Sequence, residues 1–269
     1  MKDKYLICVK TDKSLGDRAF VESFLKGWLS GVSQELRPER FDFGEPIRRK
    51  VAEEGIESVI DAWLNGPAPM MFKRVSKPKF VVDTSWRRHK GLDPRQFPWH
   101  CTVWLDFSAG DVLALELFRF LIAHFEPGFG WATSYLDERE KHFITFMDRI
   151  GQVETFAGLD PGKALPGIYW ATYFGRWAVA KVGAEKFDSL NAYRVERYCD
   201  GILVLAYPSC RLAGSPEARQ AEEKIKEHLG RELFFDKSKV DIESLKTRPE
   251  DAAVIEAKIA EVKKRRAQR

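Results

Sequence analysis

Apolar residues along this chain come in short runs whose spacing changes from one segment to the next. A first run, Tyr5–Val9, predicts a strand, and AFVESFLKGWL (Ala19–Leu29) predicts a helix. The stretch SQELRPERFDFGEPIRRK reads as a loop, because proline and glycine break any periodicity. From Val51 to Leu64 the apolar residues Ile56, Val59, Ile60 and Trp63 recur at helical spacing, and NGPAP stops the helix. Three extended pieces come next: MMFKRVS, KPKFVVDTSWRR and, after the loop GLDPRQFP, WHCTVWLDF (Trp99–Phe107). Ser108 and Asp111 read as a capping box with aspartate in the usual Glu/Gln role. They open DVLALELFRFLIAHF, a helix apolar nearly all round and expected to be buried on more than one side. GFGWATSYL predicts a further strand. DEREKHFITFMDRI predicts an amphipathic helix with its acids in the first turn, where the helix dipole favours them.

The run LPGIYWATYFG (Leu165–Gly175) sets four large rings within six positions and predicts a strand that enters a helix, RWAVAKV, at Gly175. AYRVERYCDGILVLAY predicts a hairpin, with Asp200-Gly201 as the turn between two alternating runs. After SCRLAGSPEA the composition turns polar. AEEKIKEHL reads as a helix, and a charged helix starts near Pro249, with Val254, Ile255, Ile259 and Val262 as a narrow docking stripe. Roughly eight strands with irregularly inserted helices, and no run of βαβ repeats, give an α+β class. The expected architecture is a mainly antiparallel mixed sheet with packed helices plus a C-terminal helical extension. Residues 1–212 form the expected α+β domain, and 213–269 a charged helical extension docked on it.

Composition narrows the functional classes. The chain has 269 residues, 44% of them hydrophobic and 13% aromatic, enough for a large core. Its net charge of +4 comes from 44 basic and 40 acidic residues. KKRRAQR (Lys263–Arg269) concentrates five of the positive charges, so the body is close to neutral and a nucleic-acid partner is not expected. The four cysteines, Cys8, Cys101, Cys199 and Cys210, are far apart and form no C-x-x-C pair. Cys199 and Cys210 bracket the hairpin and could approach each other, but reduced thiols are preferred. The first apolar run is too short for a signal peptide. No run approaches the ~18 residues of a membrane span, so no membrane partner is expected and the cytoplasm is the expected compartment.

Motifs that carry chemistry do not emerge. There is no G-x-S-x-G, Walker A loop, H-E-x-x-H or G-x-G-x-x-G, and no metal or cofactor is expected. His100 and Asp106 share a face of one predicted strand, but about 20 Å at ~3.3 Å per residue separates them, too far for one acid–base pair. Glu196 and Asp200 are a second pair, with Asp200 better explained as a turn residue. His124 reads as a capping or core histidine.

Alternation places Ile168, Trp170, Thr172 and Phe174 on one face of the aromatic strand, and Tyr169, Ala171 and Tyr173 on the other. The second face suits a half-exposed surface where a partner buries rings and bonds to hydroxyls. The alternative is that both tyrosines pack under a helix, and residue type alone favours it because aromatics are mostly structural. The segments Gly167-Ile168-Tyr169-Trp170, Tyr173-Phe174-Gly175 and Val195-Glu196 with its Asp200-Gly201 hairpin resemble bacterial immunity proteins of type VI secretion and polymorphic-toxin systems. FGEPIRRK and the helix ending in AWLNG look like that group too. The resemblance spans about Tyr5 to Cys210.

That resemblance implies a cytoplasmic, non-enzymatic protein that binds one cognate toxin and occludes its active site or substrate groove. In this group the toxin is often a nuclease. On this reading Tyr169 and Tyr173 are the expected aromatic anchors, and Asp137, Glu138 and Glu140 the acidic edge facing a DNA-binding surface. Taken alone, that acidic cluster is better explained by a helix N-terminus. The competing readings are a nucleic-acid-associated protein that uses the basic C-terminal helix, with Arg87, Arg88 and Lys90, and an enzyme with an unrecognised site around His100.

Overall fold

The computed structural model describes residues 3–66, 70–85, 99–148 and 151–246. Strand β1 (Lys4–Thr11) lies inside a ten-stranded sheet and is buried along nearly its whole length. Helix α1 (Arg18–Ser30) follows, capped by Asp17, whose side chain accepts from the Phe20 N–H at 3.0 Å. The stretch read as a loop contains two short strands, β2 (Arg40–Asp42) and β3 (Arg49–Lys50), before helix α2 (Val51–Asn65). Three strands, β4 (Met70–Arg74), β5 (Phe80–Ser85) and β6 (Trp99–Asp106), match the three extended pieces of the sequence.

Helix α3 (Gly110–Phe125) forms as its apolar pattern predicts, but not with the expected cap. Asp106 caps a 3-10 turn at the Ser108 N–H, and Asp111 instead accepts a 2.7 Å bond from the Tyr5 hydroxyl. Nor is the helix buried all round: one face is sealed while Val112 is 81% exposed. Strand β7 (Phe129–Ser134) leads into helix α4 (Tyr135–His142), which gives way to strand β8 (Phe143–Asp148) and strand β9 (Gly151–Phe156). The expected helix over DEREKHFITFMDRI therefore stops at His142. FITFM alternates with period two, burying Ile144 and Phe146 and exposing Thr145 and Met147, so the strand period prevails.

Strand β10 (Ala171–Phe174) is shorter than the aromatic run and precedes helix α5 (Arg176–Val182) and helix α6 (Ala184–Asp188). Strands β11 (Arg194–Tyr198) and β12 (Gly201–Leu205) form the expected hairpin. Its two-residue loop is Cys199-Asp200, one position earlier than Asp-Gly, with Tyr198 paired to Gly201. Helix α7 (Pro216–Leu229) adds Ala218, Ile225 and Leu229 to the same buried cluster as the sheet. The charged helix expected from Pro249 lies outside the described residues.

The sheet order is β11-β12-β10-β7-β1-β6-β5-β4-β2-β3, with antiparallel neighbours throughout; β8 and β9 form a separate hairpin. The protein is thus α+β with a mainly antiparallel sheet. One register row, Phe41–Phe72–Val82–Val103–Ile7–Ala132–Ala171–Leu205, crosses eight strands and is buried at every position. Against this face pack α1, α2 and α3, through rings such as Trp28 of α1 on Phe72 (5.1 Å) and Trp63 of α2 on Phe72 (6.0 Å). The neighbouring row, Asp83–Thr102–Cys8–Trp131–Thr172, belongs to the opposite face. Glu138 of α4 reaches that second face at Trp131.

Candidate functional site

The aromatic run is built into the core. Pro166 and Gly167 precede an irregular segment, and the Tyr169 N–H donates to Thr172 Oγ1 at 2.9 Å, which turns the chain just before β10. Period-two alternation therefore fails at Tyr169. Its ring stacks on Trp131 at 5.5 Å, on the face of Thr172 and not on that of Tyr173. Tyr169 is fully buried and Tyr173 is 2% exposed, so the expected half-exposed tyrosine face does not exist. Both strand faces are sealed, and Tyr169 is held by internal partners.

Those partners form a polar chain. His142 Nδ1 lies 2.7 Å from the Ala157 carbonyl, which can only accept, so Nδ1 carries the proton and Nε2 accepts from the Tyr169 hydroxyl at 2.6 Å. Burial pushes His142 down to about 4, which keeps that tautomer neutral at physiological pH. Burial also raises the Tyr169 phenol well above its usual range. Lys141 Nζ sits 4.4 Å over the Tyr169 ring and donates to Asp137 Oδ2 (2.9 Å) and the Ile168 carbonyl (2.8 Å).

The three acids of α4 separate in role. Asp137 is buried, accepts from Thr133 Oγ1 at 2.6 Å and pairs with both Lys141 and Arg219. Burial works to raise its carboxyl, but the two cations and the hydroxyl outweigh it and hold the group below the ordinary carboxylate range. Glu222 of α7 completes this network through Lys141 (2.9 Å), Arg219 (3.2 Å) and the Tyr207 hydroxyl (3.1 Å). The cluster ties α4 to α7 and to the sheet. Glu138, 7% exposed, accepts a single 2.9 Å bond from the Trp131 indole. Burial pushes its carboxyl up to about 7, against the smaller opposing effects of Trp131 and Lys10. Glu140 remains at the surface, paired with Arg219 at 2.8 Å. The expected exposed acidic edge thus reduces to Glu140, because Asp137 and Glu138 turn inward.

None of the sequence-level acid–base pairs assembles. His100 lines a recess, and burial, helped by Lys10, lowers it to about 4. Asp106 caps its own turn, Glu196 pairs with Arg119 and Arg194, and Asp200 pairs with Arg176 at 2.7 Å. His124 Nδ1 bonds the Phe120 carbonyl one turn back, a helix-internal contact. Cys199 is an exposed free thiol and Cys210 a buried one. Arg87, Arg88 and Lys90 lie outside the described residues.

Two adjoining recesses supply surface with binding character. The larger, about 1030 Å3, runs over the end of the sheet between Pro127, Phe129, Tyr173, Trp177 and the Cys199-Asp200 turn. Trp177 is 45% exposed there, and the Arg176–Asp200 pair forms its rim. Glu126 (φ 45°) and Cys199 (φ 48°) both line it, and they are the two non-glycine residues with positive φ among the described residues. Gly175 allows the walls to close: a Cβ there would lie 2.1 Å from the Pro127 carbonyl oxygen. The second recess, about 510 Å3, lies on the Trp131 face of the sheet among Asp83, His100, Trp104, Tyr135, Glu138 and Phe156. Lys10 lines both, so they adjoin.

Sequence reasoning missed Trp177 and Asp83. Trp177 stands in the first turn of a helix read only as a continuation of the aromatic run. Asp83 is the charged residue of FVVDTS, where alternation marks it as belonging to the face opposite Val82.

No protein-family model matches the chain, and no curated protein matches it significantly. Among solved structures it is similar to the Pseudomonas aeruginosa T6SS protein PA0821, with a TM-score of 0.52 at 13% identity, covering 88% of this chain and 83% of that one. The likeness is one of fold. No helix among the described residues is long and apolar enough to cross a membrane.

Proposed function

We propose that this chain is an immunity protein: it binds one cognate effector toxin, a type VI secreted nuclease acting in the cytoplasm, and covers its active site or substrate groove. The observation that carries the reading is the fold likeness to a T6SS protein over most of both chains. On this reading the protein acts by masking, without turnover, and its working parts are surface shape and charge.

The contact surface on this reading is the double recess, with exposed Trp177 as the aromatic anchor in place of the buried Tyr169 and Tyr173. An exposed tryptophan beside a recess rimmed by charges has the make-up of an interface hot spot, where a few aromatic and arginine anchors dominate the binding energy. A standard interface of ~1,600 Å2 buries ~800 Å2 on each partner, room for contacts beyond a single recess. Affinity capture of the toxin encoded beside this gene, using the full chain as bait, tests the reading. A 1:1 complex that survives gel filtration at micromolar concentration supports it, and complete separation contradicts it.

A further inference from the structure

The recess on the Trp131 face contains two carboxylates that no lysine or arginine meets in an ion pair among the described residues. Asp83 lines it without a hydrogen bond or ion pair among the described residues, and Glu138 has only the neutral Trp131 indole. A carboxylate withdrawn from water is ordinarily paired or neutralised. Burial raises both carboxyls; nothing opposes it at Asp83, and at Glu138 the Trp131 bond and the more distant Lys10 and Lys141 do not offset it. Lys4 and Lys10 line the recess, but neither forms an ion pair with them among the described residues. His100 is held neutral and adds no charge. The remaining walls include the partly exposed Trp104, Tyr135 and Phe156, aromatic side chains of the kind on which a guanidinium stacks.

We infer that this recess receives a basic side chain, an arginine or a lysine, from the bound toxin, with Asp83 and Glu138 as its carboxylate partners and the aromatic walls as its stacking surface. The occupant rests on the immunity reading; the pocket chemistry does not. A nuclease must present cations to the phosphates of its substrate. A carboxylate pocket that captures one of them removes it from that work and fixes the register of the complex. The adjoining recess places Trp177 within the same contact surface, so that an aromatic anchor and a charged socket act together.

Two arms test this. In the first, the 15N-labelled full chain is titrated with N-acetyl-arginine amide, and with its neutral citrulline counterpart, while the Trp131 indole N–H resonance is followed. The arginine compound should give a saturable shift in the millimolar range and the citrulline compound none. Asp83→Asn and Glu138→Gln, near-isosteric changes, should each weaken binding at least fivefold while the other indole resonances keep their native positions. An equal response to citrulline, or unchanged arginine binding in both variants, would overturn the pocket. In the second arm the purified toxin is titrated against wild type and Asp83→Asn, with at least tenfold weaker binding expected for the variant. Equal toxin affinities would overturn the occupant and leave the immunity reading standing. Absence of toxin binding by the wild type would overturn both, and the arginine titration would still decide the chemistry of the pocket.

Discussion

Trp177 and Glu138 show how exposure and burial lead to different predictions for single residues. Trp177 is 45% exposed, so replacing it with alanine should leave the melting temperature almost unchanged while removing about 2 kcal/mol or more of toxin affinity. Calorimetric titration of the toxin beside a thermal melt separates the two effects. Glu138 is largely buried where it lines the second recess, and its carboxyl holds its proton up to about 7, against ~4.3 in an unfolded chain. Between those values the folded protein binds more protons than the unfolded one, so stability falls as pH rises through the window. The loss attributable to this group is up to roughly 4 kcal/mol. Lys10 from β1, Trp131 from β7 and Asp137 and Lys141 from α4 are the groups that act on it. Glu138→Gln should therefore be more stable than wild type at pH 8 and lose that advantage at pH 5, as read from urea unfolding at the two pH values.

At the scale of elements, the joint between α4 and α7 depends on a buried cluster of two acids and two bases. Lys141→Met leaves Asp137 and Glu222 short of a cation inside the protein and should cost about 3–5 kcal/mol in urea unfolding. Arg197→Ala, which breaks only the exposed pair with Asp188, should cost less than about 0.5 kcal/mol. Strands and helices with uniform periodicity were legible from sequence: α1, α2, α3, β6 and the β11–β12 hairpin fall where their patterns place them. The misreadings cluster where two patterns meet. DEREKHFITFMDRI joins a helical acid-and-base segment to a period-two strand, and the acids drew the whole stretch toward a helix. The aromatic run fails for a different reason: alternation presumes a continuous strand, whereas the bond from the Tyr169 N–H to Thr172 interrupts it. The inward turn of Asp137 could not be read locally, because Arg219, one of the two cations that hold it, comes from α7, some 80 residues on.

For the whole molecule, the ten-stranded sheet has one face sealed by α1, α2 and α3, and an opposite face that Glu138 of α4 reaches beside the half-open second recess. That asymmetry gives a rigid platform with a contoured side, a form suited to occluding a partner. The antiparallel α+β class could be read from sequence, but the docking side could not, since it follows from which register row each strand offers to the helices. The central claim is that the chain binds and silences one toxin. A titration of the purified full chain against the proposed cognate nuclease, reading DNA cleavage at fixed nuclease concentration, tests it most directly. Cleavage should fall to zero at one equivalent, with nanomolar affinity; cleavage that persists at a large molar excess of this protein would contradict the immunity reading.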